Sequence, residues 1–294
     1  MDSLGIFLVS AALAASACAS EQAASGRTDG GATDAGASDG VEDSADARPA
    51  IPASSPECSG PTAGPAMAFL PGGFCIDRTE VTVAQYAAWI ATAPSLETLP
   101  ASCSFKTSFA VDKPGCTTDQ TACKGDCSDT PQTCVDWCDA YAYCQAAGKH
   151  LCGRVGGGTV PWDKSNDITE SQWFAACSAG GAFSYTYGTT YVKAACKDMY
   201  ECCVVGPVAD RATCQSPVAA YAGVFDLSGN AAEWEDGCQA DTGPDDACRY
   251  RGGSVSTPAE NTTMCGALSE TLTRVVNRAG GGPDVGFRCC FDPL

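Results

Sequence analysis

Cysteine is the residue best placed to do chemistry in this chain: there are 21, beside a single histidine, His150. Two close pairs, in CKGDC at 123–127 and CVDWC at 134–138, have the spacing of soft metal ligands. Neither has a second pair at zinc-site spacing, and one histidine cannot complete a mixed site, so disulfides are the better reading. Setting Cys18 aside leaves twenty cysteines, an even number that could form up to ten bridges. Such density belongs to an oxidising compartment. Other chemistries find little support. No GxSxG nucleophile turn and no phosphate-cradling loop occurs, and the GGG runs at 156–158 and 280–282 sit in turn-rich surroundings.

The elements that must carry these cysteines can be read from spacing. Residues 67–76 predict a strand broken by a Pro-Gly turn that delivers Asp77 to a loop. A helix follows, because Thr82 and Gln85 form a capping box and Tyr86, Trp89 and Ile90 recur at helical spacing. Residues 95–131 are polar and carry Cys103, Cys116, Cys123 and Cys127, which predicts a loop stapled by bridges. A second helix is predicted over 134–147, ended by Gly148, with Cys134 and Cys138 one turn apart and Cys144 displaced from them. A third is predicted from Thr169, capped with Gln172, placing Trp173 and Cys177 one turn apart and stopping at Gly180 and Gly181. Beyond it the chain is turn-rich with short strand-like runs.

The N-terminal part has a different composition. Residues 4–17 form an apolar run too short to span a bilayer and suited to the core of a secretion signal. Small residues lead into Cys18 in the manner of a bacterial lipobox, which makes Cys18 the expected lipidation site of residues 1–18. A simple cleaved signal is the alternative, since no Lys or Arg precedes the run. Residues 19–57 are rich in Asp, Ala, Gly and Ser, too poor in large apolar groups to offset the entropy of ordering, and read as an acidic disordered linker. The net charge of −18 excludes a nucleic-acid partner. Residues 58–294 are enough for one domain.

Five runs within that domain carry a family likeness: GGFCIDRTEVTVAQY (72–86), VDWCDAYAYCQAAGKHL (135–151), GVFDLSGNAAEW (223–234), RYRGGS (249–254) and VGFRCC (285–290). Together they resemble the formylglycine-generating enzymes, the sulfatase-modifying factor family. The resemblance implies a disulfide-rich, mixed α/β fold with much irregular structure, related to the C-type lectins. It further implies bridges between Cys144 and Cys289 and between Cys177 and Cys265. The first would close most of the domain, worth roughly 4 to 5 kcal/mol in the chain-entropy view. Cys289 and Cys290 are adjacent, so on a strand they face opposite sides and Cys290 needs a partner of its own.

The resemblance also names sites. In DLSGNAAE the family binds calcium (Ca2+) through positions that are here the Asp226 side chain, the Gly229 and Ala231 carbonyls and the Glu233 side chain. Hard oxygen donors suit that ion. The alternative is a Gly-Asn turn with a solvated Asp and Glu. The family's second calcium site has no counterpart around 195–198, where Lys197 opposes a cation. Catalysis in the family oxidises a sulfatase cysteine to formylglycine with O2 and a copper ion held by two thiolates after the GGS run. Those two positions are Thr257 and Thr262 in this chain, and Cys265 is the only cysteine between Cys248 and Cys289. Threonine hydroxyls are neither soft nor redox-active. Ser254 and Arg288 are retained, either for function or for turn geometry and buried pairing. A family tryptophan near the substrate groove is Ala232 here, which suggests a remodelled groove. A single histidine excludes the three-histidine iron site of the related sulfoxide synthases, and His150 reads as a surface or packing residue.

These observations predict an exported, lipid-anchored protein of the bacterial envelope whose calcium-supported domain binds a peptide, glycan or protein ligand without copper oxidation. The alternatives are an active O2- and copper-dependent oxidase or related oxidoreductase, and a purely structural envelope protein.

Overall fold

The structure is a computed structural model that describes residues 48–111, 126–201, 204–257, 259–266 and 275–293. The apolar run with Cys18, most of the acidic tract, and Cys116 and Cys123 lie outside the described residues. Strand β1 (Met67–Leu70) turns back into β2 (Phe74–Asp77). The turn closes through the Gly73 N–H on the Leu70 carbonyl, with Gly73 at φ +79°, a left-handed conformation open to glycine. Helix α1 (Val83–Ile90) follows, with Thr82 and Gln85 satisfying each other's backbone donors.

Two helices differ from expectation at their starts. Helix α2 (Trp137–Ala146) begins after Asp136, which forms a capping box with Asp139, and not at Cys134. Cys134 has φ +64° and cannot belong to a right-handed helix, so it shares no helix face with Cys138. Strand β3 (His150–Leu151) follows. Helix α3 (Gln172–Cys177) is capped by Ser171, whose hydroxyl accepts the Phe174 N–H. Thr169 instead closes a turn onto Asp167. Acidic and hydroxyl caps compete along this stretch, and only the tertiary fold selects among them.

The remaining elements are β4 (Ala232–Cys238), β5 (Ala247–Arg251), the single turn α4 (Ala259–Thr262), β6 (Val275–Asn277), β7 (Val285–Phe287) and β8 (Cys289–Phe291). They complete two four-stranded sheets, ordered β1-β2-β8-β3 and β6-β5-β4-β7. The first is antiparallel throughout, and in the second β7 runs parallel to β4. Arg288 alone separates β7 from β8, so one residue carries the chain from one sheet to the other.

An aromatic core gathers Tyr86, Trp137, Tyr143, Trp234 and Phe287 between α1, α2 and the second sheet, and another packs Phe74, Ile76, Trp173 and Leu227 under the first. Each such side chain contributes on the order of 2 kcal/mol by leaving water. Seven disulfides are described: Cys58–Cys75, Cys103–Cys138, Cys144–Cys289, Cys152–Cys290, Cys177–Cys265, Cys196–Cys214 and Cys238–Cys248. The bridges of Cys289 and Cys290 leave opposite faces of β8 for α2 and for the chain just past β3, as strand alternation requires.

The packed unit extends to Pro49, upstream of Cys58 and into the tract expected to be linker. The cause is local. β1 is an edge strand, and its exposed backbone groups are satisfied by residues 54 and 55: the Ser54 and Ser55 hydroxyls accept the Met67 and Phe69 N–H groups, and the Met67 carbonyl accepts the Ser55 N–H. Arg78 adds a bond from Nε to the Ala53 carbonyl. Among the described residues no helix is long and apolar enough to cross a membrane.

Candidate functional site

Arg288 is fully buried, and its position at the crossing between sheets dictates its partners. Its Nε and Nη2 donate to the two oxygens of Glu233 on β4, each at 2.7 Å, while Nη1 reaches the Asp77 carbonyl at 2.9 Å and Nη2 the Phe225 carbonyl at 2.7 Å. The Trp173 indole N–H donates to Glu233 Oε2 at 2.8 Å. A buried ion pair of this kind holds because every charge is both paired and hydrogen-bonded. Arg288 is therefore a bolt between α3, both sheets and the 226–233 run, which is the buried pairing named in one of its two sequence readings.

Around that bolt the 226–233 run is bent tightly. Asp226 and Asn230 have φ +63° and +54°, and Gly229 has φ +97°. A Cβ on Gly229 would fall 2.2 Å from the Lys197 carbonyl, so only glycine fits there. The same carbonyl accepts the Asn230 N–H, while Asp226 Oδ2 accepts the Ala209 N–H. The segment around 195–198 thus clamps the run through its backbone, and the Lys197 ammonium points to Asp210, 3.7 Å away. Neither Asp226 nor Glu233 is solvated: they are 2% and 0% exposed.

Glu80, just ahead of α1, joins them. It is buried, accepts from the Asn230 side-chain amide through Oε1 at 3.0 Å, and its Oε2 has no hydrogen-bond partner. Burial pushes the Asp226 carboxyl up to about 6, and the nearby Glu233 carboxylate adds to the effect. Burial, then the Asp226 charge, drives Glu80 well above the ordinary glutamate range. Three carboxylates thus surround one guanidinium, an imbalance that a divalent cation would offset. The donor chemistry fits calcium: all oxygen, with carbonyls and carboxylates together. A carboxylate has about four acceptor positions, so the three bonds on Glu233 leave one open. Among the described residues no three Cys, His, Asp or Glu side chains form a ready metal cluster, so the Gly229 and Ala231 carbonyls would have to complete the set.

The second region lies against the first, through the Gly229 N–H on the Gly252 carbonyl and the Val255 N–H on the Asn230 carbonyl. Here the Thr262 hydroxyl donates to the Thr257 hydroxyl at 3.2 Å, and Thr257 in turn donates to the Ser254 carbonyl and accepts the Ser254 N–H. The Ser254 hydroxyl donates to Asp284. Every described cysteine is in a disulfide, so among the described residues no thiol stands beside these hydroxyls. The donor set does not fit copper, which needs soft ligands in its reduced form.

A match to the sulfatase-modifying factor enzyme 1-like domain, FGE-sulfatase, covers residues 13–293. The chain belongs to this family. Solved structures similar to it include CarF, at 20% identity and TM-score 0.45 over 75% of this chain and 86% of that one. PvdO from Pseudomonas aeruginosa matches at 18% identity and TM-score 0.48 over 74% and 80%. Treponema denticola variable protein 1 matches at 19% and 0.45 over 75% and 84%. No curated protein matches.

Membership in the FGE-sulfatase family frames what the remaining site residues do. Ala232 stands in the aromatic core, fully buried with Trp234 and Phe287, and not in an open groove. His150 joins the C-terminal segment to β3, with Nε2 3.1 Å from Asp292. Glu80, Trp173 and Asp284 were missed from sequence. Only Glu80 carried a signal, a lone carboxylate inside the matching run TEVTVAQY immediately before a capped helix.

Proposed function

We propose that this chain is an exported, lipid-anchored member of the FGE-sulfatase family that no longer performs copper-dependent cysteine oxidation and serves as a calcium-supported binding domain. Its ligand would be a peptide, glycan or protein of the cell envelope, met at the surface beside the 254–262 segment. The observation that carries this is the hydroxyl pair: Thr257 and Thr262 touch each other at 3.2 Å where the family holds two thiolates. The disulfide-rich fold is consistent with export, and Cys18 is the residue that lipidation would use. Calcium, held by Asp226, Glu233 and the Gly229 and Ala231 carbonyls, would supply charge neutralisation and fix the run against Lys197.

The test is incubation of the oxidised protein with a Cys-x-Pro-x-Arg peptide, copper, reductant and O2, read by mass spectrometry beside an active family member. No formylglycine is expected. Conversion of the peptide would overturn the reading and restore the oxidase.

A further inference from the structure

We infer that Glu80 is the outer carboxylate of the calcium centre, its Oε1 fixing the Asn230 amide and its Oε2 accepting a hydrogen bond from water bound to the ion. The inference rests on the calcium reading of the 226–233 run and adds a residue to it. Glu80 is separated from Asn230 by 150 positions, yet the two side chains meet at 3.0 Å in a water-excluded interior. Asn230 lies between Gly229 and Ala231, the two residues whose carbonyls would face the cation. Holding the Asn230 side chain therefore holds both carbonyls. Asparagine takes the left-handed backbone seen here, φ +54°, more readily than most residues, and the side-chain bond then fixes its direction.

The other oxygen supplies an independent pointer. Oε2 is buried and has no partner, and a carboxylate oxygen in that state loses its full solvation with nothing in return. Asn230 spends its amide on Glu80 Oε1 and the Gly206 carbonyl, so it cannot also serve Oε2. Calcium takes six to eight oxygen ligands, and two carboxylates with two carbonyls leave positions that water fills. A water polarised by the ion is a strong donor, and a carboxylate just outside the ligand shell is its natural acceptor. This arrangement satisfies Oε2 without making Glu80 a direct ligand, which agrees with the lack of a ready three-carboxylate cluster.

The consequence has opposite signs with and without the ion. Without calcium, the Glu80 side chain lies buried beside Asp226 and Glu233 with an oxygen that no protein group satisfies, so the neutral Glu80→Gln should leave the chelated protein as stable or more so. With calcium, the same change turns a water acceptor into an amide, and outer-shell changes of this kind cost about 10- to 100-fold in metal affinity.

The experiment is calorimetric titration of calcium into the chelated, disulfide-intact full chain and its Glu80→Gln variant, alongside urea unfolding of both in chelator. Expected are a calcium affinity at least tenfold weaker for the variant and an unfolding midpoint in chelator that does not fall. A variant that binds calcium as tightly as the parent, or that loses stability in chelator, overturns the role of Glu80 while leaving the calcium reading intact. A parent that binds no calcium overturns both. Should Glu80→Gln fail to accumulate, Glu80→Asp, which keeps the charge one methylene short, is expected to show the same weakened affinity in an otherwise folded protein.

Discussion

The 226–233 run and the 254–262 segment are hydrogen-bonded to each other, yet they are built on different physics. The first buries formal charges and depends on every partner: Glu233 is held by Arg288 and Trp173, and Asp226 by a backbone N–H. The second buries neutral hydroxyls in a local chain of donors and acceptors within a few residues. A charged network taken apart piece by piece fails at each step, because a stranded charge costs more than the pair was worth. A hydroxyl cluster tolerates exchange. The comparison teaches where exchange is cheap and where it is not: the two positions that the resemblance aligns with the family's thiolates sit in the tolerant region, and the proposed cation donors in the intolerant one.

The largest effect should come from Arg288→Met. It leaves Glu233 with only the Trp173 indole and strips donors from the Asp77 and Phe225 carbonyls. A loss of about 3 to 5 kcal/mol is expected in urea unfolding of the oxidised protein. Adding Glu233→Gln in the same chain should recover part of it, since the second change removes the stranded charge. If the two losses simply add, the network is not coupled and the contrast between the regions fails.

The tolerant region is tested by restoring what the family has. Thr257→Cys with Thr262→Cys would put two soft ligands where hydroxyls now lie 3.2 Å apart. The double variant, purified anaerobically with its two new thiols free and with ascorbate holding the copper as Cu(I), is expected to take Cu(I) from a chromogenic chelator while the parent does not. Competition by the parent as strong as by the variant would show that a cysteine other than those described supplies copper ligands. A smaller effect is expected from Thr257→Val, which deprives the Ser254 N–H of its acceptor, at about 1 to 2 kcal/mol in the same unfolding assay.

Legibility in the sequence followed the same division between local and distant contacts. The Thr82 and Gln85 box was readable because its partners are three residues apart. The start of α2 was misplaced because Cys134 looks like a helical neighbour of Cys138, and nothing in its identity signals φ +64°. Glu80 and Trp173 were missed because they meet the site across 150 and 60 positions, contacts that only packing creates. The packed stretch at 49–57 was hidden for a related reason: its composition is that of a linker, and its order comes from the edge of β1.

The smallest predicted effect sharpens the comparison within one strand. Asp236 shares β4 with Glu233 but lacks its bidentate pairing, and burial pushes its carboxyl up to about 6, with the Thr159 hydroxyl, the His150 side chain and the Arg278 charge acting in the opposite direction and the Glu235 charge adding to the rise. A carboxyl that binds its proton more tightly folded than unfolded contributes stability below its unfolded value of 3.8, and that contribution fades as pH rises through about 6. Unfolding free energy of the parent should therefore carry a downward component between roughly pH 4 and 6, which Asp236→Asn removes. Because burial pushes the Asp226 carboxyl into the same range, the measurement belongs in saturating calcium, which on the proposed reading would hold that carboxylate ionised and take its share out of the slope. An Asp236→Asn variant whose pH profile in calcium stays parallel to the parent's would mean that Asp236 is solvated. In that case the buried carboxylates of β4 would be Glu233 and Glu235 alone.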